Sequence, residues 1–175
     1  LKINNLKVDM VVITGDFVSE EIPAADLEGA LSELTAPEGV FAVLGNHDYR
    51  ADTDDLRDVL ADSNINLLSN THVTLERDDA QLHIAGLDDV DHRQADLSQL
   101  LETIPETGSA ILLVHEPDFA DVSARTQRFD LQLSGHSHGG QIRLPVIGPL
   151  FLPQWGVKYH TGMYRIDGMH LYTNK

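Results

Sequence analysis

In SGHSHGGQ, residues 134–141, His136 and His138 stand one residue apart, with Gly135 before them and Gly139-Gly140 after. Imidazoles on so bare a loop suit cation binding, and three other stretches offer matching groups: Gly15-Asp16, Gly45-Asn46-His47-Asp48, and His115 followed by Glu-Pro-Asp. Together they present imidazole nitrogen, carboxylate and amide oxygen without any sulfur. That donor mix fits borderline or hard divalent cations such as zinc, manganese or iron. Glycine ahead of Asp16, Asn46 and His136 lets the chain turn sharply without a side chain in the way. In an extended segment residues i and i+2 project to one side, roughly 6 to 7 Å apart, so His136 and His138 are expected to reach different ions of a close pair. A carboxylate such as Asp16 can bridge ions ~3.5 to 4 Å apart with its two oxygens.

Each of these groups stands where a strand is expected to stop. VDMVVIT (8–14) and VFAVL (40–44) are apolar runs of the kind a strand buried on both faces needs, and SAILLVHEPD (109–118) and FDLQLSGHSHGG (129–140) run straight into histidine. Helices are expected at 24–35, with Pro23 just ahead, at 52–63 with an acidic first turn, and at 95–104. INLL (65–68), THVTLE (71–76) and QLHIAGL (81–87) are short segments with turn signals between them, antiparallel in character. In α/β sheets ligands gather outside the carboxyl ends of the strands, so the polar loops converge if their strands are neighbours. No low-complexity linker, charge block or solenoid repeat interrupts the chain, which predicts a single domain over 1–175.

Composition narrows the function further. Against 28 acidic residues stand 12 basic ones, a net charge of -16 that argues against nucleic-acid or anionic-membrane binding through a general basic field. An anionic substrate must be held locally, and bound divalent cations are the obvious device. Cysteine is absent, which excludes disulfides, zinc ribbons and thiol catalysis. No apolar run approaches the ~20 residues a bilayer span requires.

Taken in order, GD at 15–16, GNHD at 45–48, His115 with Glu-Pro-Asp, and GHSHGGQ at 135–141 resemble successive motifs of the calcineurin-like metallophosphoesterase superfamily. GLDD at 86–89 and LPVIGPLFLP at 144–153 resemble its bacterial branch of membrane-associated phosphodiesterases and UDP-diacylglucosamine hydrolases. The resemblance implies an α/β fold, a mixed β-sheet sandwich flanked by helices in αββα order. It implies two divalent ions (Mn, Fe or Zn), with Asp16 bridging, Asn46, His115 and His136 completing one site, and His138 serving the other. His47 then takes no metal but stands beside the scissile phosphate as general acid or charge stabiliser, with Asp48 polarising its ring. The implied reaction is phosphoric ester hydrolysis by metal-activated hydroxide, on a diester or pyrophosphate by preference, with a lipid- or nucleotide-linked substrate. The alternatives are a phosphomonoesterase, phosphoprotein phosphatases included, or a catalytically inert metal-binding fragment.

One motif of the superfamily is missing: the Asp-x-His that ends its first strand does not occur here. The chain therefore reads as an incomplete domain lacking the first strand and the closing strands, with one well-held metal site and one weak one. Outside the motifs, His72, His83, His92, His160 and His170 read as surface or packing residues. Asp88-Asp89 and Asp91-His92 read as a solvated loop, VIGPLFLPQW (146–155) as core in preference to a lipid-facing lip, and Arg143 and Lys158 as surface cations able to meet an anion.

Overall fold

Alternation along short strands sets the layers of the protein. The computed structural model describes residues 2–18, 25–140, 142–144 and 148–175. Pro23, Gln141, residues 145–147 and the side chain of Arg143 lie outside that description. β1 (Val11–Ile13), β2 (Val40–Ala42) and β3 (Ile65–Leu67) form a parallel sheet in that order. Val11, Val40, Ala42 and Leu44 face α1 (Ala25–Leu31) and α2 (Thr53–Asp62), where Leu56 and Leu60 meet them. Their neighbours Val12, Phe41 and Val43 turn to the opposite side.

There they meet a second, six-stranded sheet. It contains β4 (Thr71–Arg77), β5 (Ala80–Gly86), β6 (Ser109–Leu113) and β7 (Leu131–Ser134). After the small ladder of β8 (Arg143–Leu144) with β9 (Gly148–Pro149), the chain adds β10 (Gly162–Ile166) and β11 (Met169–Thr173). The sheet runs in the order β10-β11-β7-β6-β5-β4. Ile84, Ile111, Leu113 and Leu133 supply its inner face. Its outer face, with Ala85, Ala110, Leu112 and Leu171, is covered by α3 (Leu97–Thr103) and α4 (Ala120–Ser123) through Leu100 and Ala120. Period-two alternation on both sheets thus builds the expected helix-sheet-sheet-helix stack.

The segment INLL departs from the antiparallel expectation. β3 pairs in parallel with β2, because α2 lies between them as a crossover and returns the chain in the same direction. β4 and β5 do form the antiparallel hairpin. The acidic start of α2 is realised as a cap, the Asp52 carboxylate accepting the amides of Asp54 and Asp55. Placement of the polar loops follows from pairing: β1 lies beside β2 in one sheet and β6 beside β7 in the other, each pair parallel. All four loops therefore leave at one rim of the sandwich, two from each sheet.

Candidate metal centre

Close approach of backbones creates the centre. A Cβ on Gly45 would collide with the Asp16 carboxylate and the His115 ring, and one on Gly15 with the Gly45 amide and His115 Nδ1. Gly15 also has φ +90°, and the next residue, Asp16, keeps a positive φ of 60°. His136 and His138 share that left-handed conformation, at 64° and 47°. Such backbone costs a residue with a Cβ on the order of 1 kcal/mol or more, and three of the expected ligands adopt it. The GHSHGG segment is consequently not extended, as the i, i+2 reading requires, but ends in a 3-10 turn at His138–Gly140. The two rings nonetheless meet different partners: His136 is buried and faces Asn46, whereas the exposed His138 faces Asp16.

His115 is buried, and its Nδ1 lies 2.5 Å from the Thr14 carbonyl, to which it donates. Its Nε2 then faces Asp16 Oδ2 at 3.2 Å, and His138 Nε2 approaches the same oxygen at 3.4 Å. Asp16 Oδ2 and His115 Nε2 are both buried with no hydrogen bond to the described residues. Asp16 Oδ1 accepts the His47 amide at 3.0 Å. The His47 ring joins this group: donor atoms of Asp16, His47 and His138 all lie within 4.8 Å of one another. The His47 and His138 rings meet edge to face at 6.0 Å. Deeper in, His136 Nδ1 faces Asn46 Oδ1 at 2.9 Å and its Nε2 faces the Gln154 carbonyl at 2.7 Å, while its ring packs against His115. All five expected ligands and His47 are thus gathered at one rim.

Burial works against the Asp16 charge, but His115 and His138 reverse that effect and hold its carboxyl well below the usual carboxylate range. For His115, burial pulls the pKa down and the Asp16 carboxylate overturns it, pushing the ring up to about 9. In metal-free protein His115 is then an imidazolium paired with Asp16. A raised folded-state pKa means that this pairing stabilises fully below the ordinary 6.5 and is lost as pH rises through about 9. The unfolding midpoint of chelator-treated protein is expected to fall across that interval. Added manganese, which competes with the proton on His115, should raise it more at the alkaline end. A midpoint flat from the acid to the alkaline end would contradict the pairing.

Asp48 makes its contacts with backbone amides and not with the His47 ring. It is fully buried, and its oxygens accept the amides of Gly45 at 2.8 Å, Asp16 at 2.9 Å and Val18 at 3.0 Å. With those donors occupying the carboxylate, it makes no hydrogen bond to the His47 ring; it staples the loop after β2 to the loop after β1. The expectation of a solvated loop holds for Asp91 and His92, which are exposed, and is corrected for Asp88 and Asp89. Asp88 is 4% exposed and Asp89 0%, because Tyr49 and Ser69 donate to the first and His92 to the second. Glu116 beside them is pushed up to about 8 by burial and by the Asp89 carboxylate. Only the GLDD run directly after a strand signalled this group in the sequence. His83 packs as expected, buried between Thr74 and the Thr107 carbonyl, and Lys158 pairs with Asp121 at 2.7 Å.

A cleft of about 270 Å³ opens over the centre. Asn46, His47, His136, Ser137 and His138 line it together with Phe151, Leu152 and Pro153. Phe151 is 76% exposed, so this part of the apolar stretch expected as core forms a wall instead.

The model of the calcineurin-like phosphoesterase family matches residues 2–140. The chain is 35% identical, over its whole length, to the uncharacterized metallophosphoesterase YkuE of Bacillus subtilis (strain 168), and covers 63% of that protein. It is 29% identical over 97% of its length to the phosphodiesterase YaeI of Escherichia coli (strain K12), again covering 63%. The chain therefore spans less than two thirds of these curated relatives. Haemophilus influenzae NAD nucleotidase (NadN) shares the fold, with a TM-score of 0.55 at 18% identity over 99% of this chain and 42% of that one. No helix among the described residues is long and apolar enough to cross a membrane.

Proposed function

The chain belongs to the calcineurin-like phosphoesterase family, and from that premise we propose that it is a metal-dependent hydrolase of phosphoric diesters or pyrophosphates, built as one domain over 1–175. The observation that carries the reading is the buried pair Asp16 Oδ2 and His115 Nε2, 3.2 Å apart and with no hydrogen bond to the remaining described residues, with His138 beside them. A buried carboxylate facing two imidazoles calls for a cation, and the proton that His115 holds in metal-free protein occupies the place a divalent ion would take. Asp16, Asn46, His115 and His136 would hold one ion, and Asp16 with His138 a second. Divalent ions bound there supply Lewis acidity toward phosphoryl oxygens and activate water at neutral pH.

The chain's own residues do the rest. His47, in the lining of the cleft, donates a proton to the departing oxygen. Its loop is held by Asp48, and its amide by Asp16 Oδ1. Phe151, Leu152 and Pro153 line the same cleft. A diester carries a second organic substituent that this apolar wall can shelter from water; a monoester does not. The wall therefore supports a diester whose organic part, lipid- or nucleotide-linked, presents an apolar surface.

With manganese added, the full chain is expected to hydrolyse bis-(p-nitrophenyl) phosphate faster than p-nitrophenyl phosphate, and a chelator to abolish both. Preference for the monoester would favour the phosphomonoesterase reading. Stoichiometric metal binding with no turnover of either ester would leave a metal-binding scaffold.

A further inference from the structure

The His47 ring makes no hydrogen bond to the described residues, and Asp48 does not reach it. Its loop is what holds it, and the outer flank of that loop is gripped by residues with no part in the chemistry above. Tyr49, two residues on, donates its hydroxyl to Asp88 Oδ1 at 2.6 Å. Its ring lies on that of His92, centroids 5.2 Å apart and planes at 20°. Asp88 is itself fixed, accepting the Ser69 hydroxyl with Arg57 3.6 Å away. Behind His92, the fully buried Asp89 takes both its backbone amide at 2.6 Å and its ring Nδ1 at 2.7 Å. A partly exposed imidazole held by its face, its edge and its backbone has lost the freedom a surface histidine normally keeps.

We propose that Asp88, Tyr49, His92 and Asp89 form a clamp that positions His47, setting the angle at which its imidazole meets the leaving oxygen. The proposal rests on His47 being the proton donor. Transmission is short: Asp48–Arg50 is one 3-10 turn, closed by the Arg50 amide on the His47 carbonyl at 3.0 Å. Asp48 pins the inner side of this turn to the loop after β1, and Tyr49 pins its outer side to the loop after β5. Burial and then the Asp88 carboxylate keep the Tyr49 phenol protonated well above its usual range, so its donor survives at any working pH. A group with no hydrogen bond of its own inherits whatever play its turn has, and displacement by ~1 Å can cost about a hundredfold in rate.

The effect is selective, because proton donation matters most when the departing oxygen leaves poorly. The test compares diphenyl phosphate, with the poorer leaving group, and bis-(p-nitrophenyl) phosphate on the manganese-loaded full chain. Tyr49→Phe keeps the stacked ring and removes the donor; His92→Gln keeps a donor for Asp89 and removes the stack, and stands in if the first variant does not fold. Each is expected to lower kcat on diphenyl phosphate roughly tenfold and to leave bis-(p-nitrophenyl) phosphate within about twofold, with KM and bound manganese unchanged. His47→Ala is the reference and must show the same selectivity in larger measure. Equal loss on both substrates in His47→Ala removes the proton-donor reading, and the clamp with it. Selectivity in His47→Ala, with equal losses or none in the folded clamp variants, overturns the clamp alone.

Discussion

His47→Ala is expected to lower kcat by roughly 10² to 10⁴-fold while bound metal stays at the level of the unsubstituted protein. Magnitude alone does not settle the role, because the His47 ring lies within 4.8 Å of donor atoms of Asp16 and His138 and could serve as a ligand itself. Metal content measured beside turnover separates the two. A proton donor leaves with the rate of the chemical step and nothing else; a ligand takes the ion with it. Equal loss of metal and turnover would assign His47 to the coordination sphere and leave the departing oxygen without a donor.

Asp48→Ala should be among the most destabilising single changes in the chain. It strands the amides of Gly45, Asp16 and Val18 in a buried setting. At ~1 to 3 kcal/mol for each unsatisfied donor, a loss of at least ~3 kcal/mol is expected, a large fraction of the ~5 to 15 kcal/mol that holds a domain together. Asp48→Asn keeps one oxygen and should recover part of it. Chemical denaturation of the metal-free variants reads this directly. Were Asp48 acting instead by polarising His47, both substitutions would change the pH dependence of turnover and leave the denaturation midpoint nearly in place.

The motifs were legible because each couples a glycine to a ligand where an apolar run stops, and that combination is local. The layers were legible through alternation, as in Val40, Phe41 and Ala42. The direction of β3 was not, because a three-residue strand carries no mark of its pairing and takes its sense from the helix before it. The buried acids at 88 and 89 were hidden for another reason. Aspartates after a strand look solvated until Tyr49, far away in sequence, is known to donate to one of them. Nor could spacing show that His136 and His138 adopt left-handed backbone instead of an extended segment. The contacts of Asp48 were hidden because its closest sequence neighbour is His47, whereas the donors that claim it include amides from the loop after β1.

The expected ligands come from two different sheets, Asp16 and Asn46 from one and His115, His136 and His138 from the other. An ion held among them acts as a rivet across the sandwich, and the centre becomes a gauge of the gap it spans. That gap is filled at its middle by Phe41, Val43, Ile84 and Leu113. Core residues with no access to substrate thereby acquire a kinetic meaning: a smaller side chain at Phe41 or Leu113 would let the plates close, and the discrepancy would register at the rim as altered metal affinity.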